Sequence, residues 1–172
     1  MITDNLKDLL LQRDKYSTLN FSTLVEVLDG SKYEFVGTKL RGAMGLSTYQ
    51  KAYLDIDTFY FSDDEKIFFV MLHEYCHVMK IDKMGKEEMI SQLSENNFDV
   101  FSNHIVNEEI LADRFGLFYF YKLNAKHYPK YRTQMLESKV QRDKYVDTIS
   151  VIYGQIKDEE TYNQIIEHFI LD

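Results

Sequence analysis

Between residues 33 and 59 apolar side chains recur at every second position, and from Ser62 almost to the end they recur every third or fourth. The first period is that of a strand with one buried face, the second that of a helix. Ahead of both, Leu6, Leu9 and Leu10, then Leu24, Val25, Val27 and Leu28, predict two short helices within 4–29, broken near Ser17–Asn20. "DGSK" (29–32) signals a turn, "YEFVGTKL" (33–40) a strand, "RGAMG" (41–45) a glycine-containing bend and "LSTY" (46–49) a second extended piece. In "AYLDIDTF" (52–59), Ala52, Leu54 and Ile56 alternate with Tyr53, Asp55 and Asp57, which predicts a half-buried antiparallel strand. "SDDE" (62–65) reads as a capping box, with Ser62 as the cap and Glu65 reaching back. Further helices are expected over 85–97, 103–124, 129–156 and 159–170. The class is therefore α+β: one domain over 1–172, a small antiparallel sheet packed on a helix, and a helical tail from about 126.

The helix that starts near Ser62 carries "MLHEYCHVM" (71–79), with the pattern H-E-x-x-H. At 100° per residue, His77 lies about 40° round from His73, so both rings leave the same side and suit one ion. Glu74 sits about 100° round, too far to be a ligand of that ion and near enough to reach a water beside it. Phe68, Met71, Leu72, Tyr75 and Met79 form the opposite, apolar face. Cys76 points away from Glu74 and reads as a small buried thiol.

A catalytic zinc usually keeps three protein ligands. His104, Glu108, Glu109, His127 and His168 are the candidates for the third, and "NEEILADRFG" (107–116) selects among them. Glu109, Ala112, Asp113 and Gly116 share one stripe of a helix. Ala112 and Gly116 lack bulk, so this stripe can lie close to the first helix and bring the short Glu109 carboxylate to the ion. Glu108 points about 100° away. Asp113, one turn after Glu109, is placed to accept the second ring N–H of a ligand histidine.

Together, His73-Glu74-x-x-His77 and Glu109-x-x-Ala112-Asp113 resemble the paired motifs of the gluzincin clan of zinc metallopeptidases. The likeness spans roughly residues 40–120 and is greatest to the compact members, the minigluzincins and the ImmA/IrrE-type peptidases. "EILADRFG" is a loose form of the second motif of the ImmA/IrrE type, with Asp113 for Asn and Gly116 for Ala. The resemblance implies a zincin-like fold, Zn2+ as cofactor, and an endopeptidase acting on a protein or peptide bound in extended form along an edge strand. No DNA-binding segment of the kind that often accompanies the ImmA/IrrE type is found, and the tail matches no known pattern.

In such a centre a zinc-activated water attacks the peptide carbonyl, with Glu74 as general base, and the oxyanion needs a further electrophile. His127 in "AKHYPKY" is the leading candidate for that role, ahead of Tyr128 and Tyr131. "GAMGLST" (42–48) is either the substrate-pairing edge or a plain hairpin bend. Asp55, Asp57, Asp63 and Asp64 are expected to form a solvated face. A catalytically idle zinc-binding interaction module, or a hydrolase of non-peptide amides, remains an alternative to the peptidase.

Composition narrows the partners. With 28 acidic against 20 basic residues the net charge is −8, and no Lys/Arg cluster exists to neutralise a phosphate backbone, so no nucleic-acid partner is expected. The longest apolar run, "IFFVML" (67–72), is far short of a bilayer span, and the first residues lack a signal-peptide pattern. A single cysteine excludes an intrachain disulfide. A cytoplasmic protein with no membrane partner is the expectation; the oligomeric state leaves no trace in the sequence.

Overall fold

A computed structural model describes residues 1–130 and 138–171. Their order is α1 (Asp4–Asp14), α2 (Phe21–Asp29), β1 (Glu34–Leu40), β2 (Gly45–Thr48), β3 (Lys51–Asp55) and α3 (Ile56–Phe61). There follow α4 (Asp64–Met84), α5 (Lys86–Leu93), α6 (Phe98–Leu123), α7 (Lys139–Tyr153), α8 (Glu159–Phe169) and β4 (Ile170–Leu171). The class is α+β, as the periods predict.

The sheet is small, ordered β2-β3-β1-β4, and mixed rather than antiparallel. β3 runs antiparallel to β2, Leu46 facing Tyr53, but parallel to β1, Phe35 facing Ala52. β2 therefore lies at the edge, and the chain passes beyond the place β3 will occupy before turning back. Alternation reports which face of a strand is buried, not which way its neighbour runs, so the parallel pair left no mark on the sequence.

Two local expectations are corrected. The strand predicted over 52–59 stops at Asp55, because Asp55 caps α3: its Oδ2 accepts from the Thr58 amide at 3.1 Å and its Oδ1 from the Leu40 amide at 3.0 Å. These bonds bury Asp55, which is no part of a solvated face. The cap of α4 is Asp63, accepting from the Lys66 amide at 2.8 Å, and not Ser62. Glu65, freed from a capping box, faces the residues after α6.

One core fills the space between α1, α2, the inner sheet face and α4. Leu6, Leu10, Phe21, Leu24, Phe35, Leu54, Phe68 and Met71 are fully buried there. A second cluster joins Leu40 and Leu46 of the sheet to Met89, Ile156, Tyr162 and Ile166. The tail is thus no appendage: α8 helps build this cluster, and β4 pairs antiparallel with Lys39–Leu40 of β1. Of the helix expected over 129–156, residues 131–137 lie outside the described residues and α7 begins at Lys139.

Candidate metal centre

α4 and α6 lie antiparallel along each other and supply the centre. The contact is close because α6 presents Ala112, fully buried, and Gly116, where an added Cβ would come within 2.8 Å of the Phe69 ring. Behind α4, Ile67, Phe68, Met71 and Leu72 are locked in the core, so its other face is held rigidly towards α6.

That face carries the histidines. His73 Nε2 and His77 Nε2 are 3.0 Å apart, and the Glu109 carboxylate closes the triangle at 3.2 Å from the first and 3.0 Å from the second. All three side chains are about five-sixths shielded from solvent. On the other side of the His73 ring, Nδ1 lies 2.9 Å from Asp113 Oδ1, and a carboxylate there can only accept. This contact fixes the Nδ1–H tautomer and leaves Nε2 as a lone pair aimed at the Glu109 oxygens. Lone pairs converging on one point repel unless something positive lies among them. Donor atoms bound at 2.0–2.1 Å to one tetrahedral ion would stand roughly 3.3 Å apart, close to the spacings here. His73, His77 and Glu109 are therefore a group positioned to hold a metal ion.

Protons do this work when no metal is present. Burial opposes a charge on His73, but its hydrogen bonds to Asp113 and Glu109 and the charge of Glu109 outweigh it and hold the imidazole well above its usual value. Burial likewise opposes ionisation of Glu109, and His77 and His73 overcome it to push that carboxyl well down. Two consequences follow for pH. Stability from His73 is complete below the imidazole's unfolded value and is lost as pH rises through its raised one. Stability from Glu109 is complete above the usual carboxylate value and is lost as pH falls through its lowered one. The metal-free protein should thus melt at lower temperature on the alkaline side. The metal-loaded protein should not, and metal uptake near pH 7 should release the His73 proton. Thermal melts across pH 5–10 with metal or chelator, and calorimetry in buffers of different ionisation heat, check both.

No family model matches this chain. Nor does any curated protein or solved structure to which it was compared. What the centre can do must therefore be read from its own atoms.

Glu74 is buried beside the triad and held by the sheet: Ser47 Oγ donates to its Oε2 at 2.6 Å. Gly45 of β2 lies so close that an added Cβ would fall 2.5 Å from the Glu74 carboxylate carbon. Only glycine leaves that space, so Gly45→Ala should displace the Glu74 head while the three ligands stay. Metal affinity should hold and any Glu74-dependent turnover fall, about 100-fold at the displacement of 1 Å or so that a methyl imposes. Asp113 has the complementary role. Asp113→Ala should weaken metal binding about 10- to 100-fold by freeing the His73 ring, measured by competition with a chromogenic chelator.

Of the other sequence candidates, His104 and Glu108 line the cleft without joining the triad, and the rest lie elsewhere. His127 is not brought to the centre: its Nε2 meets Glu65 Oε1 at 2.9 Å, in the first turn of α4. His73 comes eight residues later, about 12 Å along the helix. Tyr128 is exposed and stacks on Tyr121, while Tyr131 falls outside the described residues. Glu108 faces Lys80 at 3.7 Å, and the His168 carbonyl accepts from Arg41. Cys76 is buried, with its thiol pushed up to about 12 chiefly by that burial, and is inert as a ligand.

A residue the sequence did not single out stands at the centre instead. Tyr145 of α7 lines the same cleft as the triad and lies near enough to Glu109 to feel its charge. Burial first, then the charge of Glu109, raises its hydroxyl well above the usual phenol value, so it stays a donor at any physiological pH. Nothing in the sequence relates Tyr145 to H-E-x-x-H by a fixed spacing, and it is one of 13 tyrosines. Only the fold back of the tail brings it near.

Proposed function

We propose that this chain is a zinc-dependent endopeptidase with a zincin-like arrangement of its active helix and sheet. The observation that carries the reading is Glu74, a buried carboxylate held by Ser47 beside three converging ligands. A site that served structure alone would have no use for a positioned base, and would tend to complete its ion with a fourth protein ligand.

His73, His77 and Glu109 would hold the zinc, and two imidazoles with one carboxylate match its preference for nitrogen and oxygen donors. Bound there, zinc supplies Lewis acidity that activates water and polarises a carbonyl. Glu74 takes the proton of the attacking water and returns it to the departing amine, so one carboxylate serves both halves of the reaction. Tyr145, neutral and able to donate, lines the same cleft and would stabilise the negative charge that gathers on the carbonyl oxygen. Asp113 keeps the His73 ring in its ligating tautomer throughout.

β2 suggests how a substrate is held. It is an end strand of the sheet, and residues 42–47 line the cleft of about 750 Å³ that contains the triad. An extended peptide can add to such an edge through main-chain hydrogen bonds, which places its amides over Glu74 without regard to sequence. The shielding of the ligands favours an unfolded segment over the surface of a folded protein.

Digestion of an unbiased peptide library by the zinc-loaded chain tests the proposal. New termini should appear, vanish with a chelator, and return with zinc. An intact library would refute it. Tyr145→Phe removes only a hydroxyl, and kcat on a peptide from that screen, read at saturating zinc, should fall about 100- to 1,000-fold.

A further inference from the structure

The rings most open to solvent are not scattered over the surface. Tyr16 (91% exposed), Phe61 (85%), Tyr60 (69%) and Tyr128 (60%) are the four most exposed aromatic side chains among the described residues. All four belong to one end of the molecule, where the ends of several helices are tied together. Arg13, near the close of α1, donates to the carbonyls of Phe59, Tyr60 and Ser62 and pairs with Asp64 at the start of α4. Asn20, ahead of α2, is bonded to Leu123 and Asn124 where α6 closes. Glu65 in the first turn of α4 meets His127 and accepts from the Lys130 amide. Charge at this end runs against the chain's net of −8. Asp64 and Glu65 are paired with Arg13 and His127, and Asp14 and Asp63 accept backbone amides. Lys15, Lys122, Lys126 and Lys130 are exposed, with no carboxylate partner among the described residues.

We infer that this end docks on an anionic membrane surface, independently of what the metal centre does. Tyrosine and phenylalanine rings are at home in the headgroup layer, and lysines beside them face the anionic headgroups. The rings stand on three separate chain segments interleaved with lysines, which suits a soft interface better than the contiguous fitted patch of a folded partner. No helix among the described residues is long and apolar enough to cross a membrane, so the contact is peripheral. The sequence spoke against a membrane partner through its short apolar runs and missing signal pattern. Both bear on crossing a bilayer and not on resting against one. Because the acidic excess lies over the remaining surface, the same headgroups repel it, and docking is oriented. His73 lies about 12 Å along α4 from Glu65, which keeps the metal centre beyond the docked end.

Vesicles of phosphatidylcholine with about a quarter phosphatidylserine test the docking. The unmutated full chain should sediment with them, and bind vesicles of phosphatidylcholine alone at least about 10-fold more weakly. Lys126→Gln and Lys130→Gln should each cost about 5-fold in affinity for the anionic vesicles. The chain has no tryptophan, so a single one serves as reporter. Phe61→Trp emission should shift to the blue on the anionic vesicles and be quenched by brominated lipid. Phe98→Trp, half exposed at the opposite end of α6, should do neither. An unmutated chain that stays in the supernatant, an unshifted Phe61→Trp, or equal shifts at both positions would overturn the inference. So would capture of a single-stranded oligonucleotide without binding to vesicles, which would assign the rings and lysines to stacking on bases.

Discussion

A Glu74→Gln protein is expected to keep its metal and lose hydrolysis, by about 100- to 10,000-fold in kcat. The substitution is nearly isosteric. The carboxamide still fits beneath Gly45 and still accepts from Ser47, whose bond to Glu74 Oε2 is 2.6 Å. None of the triad atoms belongs to residue 74, so metal content should match that of the unmutated chain. What disappears is a group able to take a proton from water and give it back. Peptide turnover at saturating substrate, with zinc measured on the same sample, reads both quantities. Undiminished turnover would show that another group is the base.

Glu109→Ala should have the larger effect on metal. Its carboxylate makes two of the triangle's three contacts, at 3.2 Å and 3.0 Å, and supplies the negative charge that offsets a dication. Spread over its ligands, the binding energy of a zinc site is about 3–4 kcal/mol each, so losing one should cost on the order of 10²–10³ in affinity. His73 should also change without metal: deprived of Glu109, its imidazole falls towards the usual range, and burial then favours the neutral ring. The alkaline loss of stability expected for the metal-free protein should therefore shrink in Glu109→Ala. Chelator competition and pH-dependent melts follow the two effects independently.

The candidate centre was legible because most of it obeys helical arithmetic. His73 and His77 are four apart, and Glu109, Ala112, Asp113 and Gly116 share a stripe whose small members announce a close helix contact. Those rules concern neighbours on one helix, or the surface one helix offers another. Where the fold depends on distant closure, the sequence was silent. His127 was the leading candidate for the electrophile, yet Glu65, freed by the shift of the cap from Ser62 to Asp63, takes it. Tyr145 comes to the cleft of Glu109 only because α7 folds back against α6. The same limit applies to the sheet. Burial of Ala52 and Leu54 was evident from alternation, whereas the parallel pairing with β1 was not, nor was the use of Asp55 as a cap in place of a strand residue. β4 is two residues long, and no period can be read from two residues.

The convergence of His73, His77 and Glu109 on one ion is tested most directly by the anomalous difference map of a zinc-loaded crystal. One peak per chain is predicted, 2.0–2.2 Å from both Nε2 atoms and from a Glu109 oxygen. A zinc peak bound elsewhere, or none between these three side chains in crystals grown with excess zinc, would contradict the account.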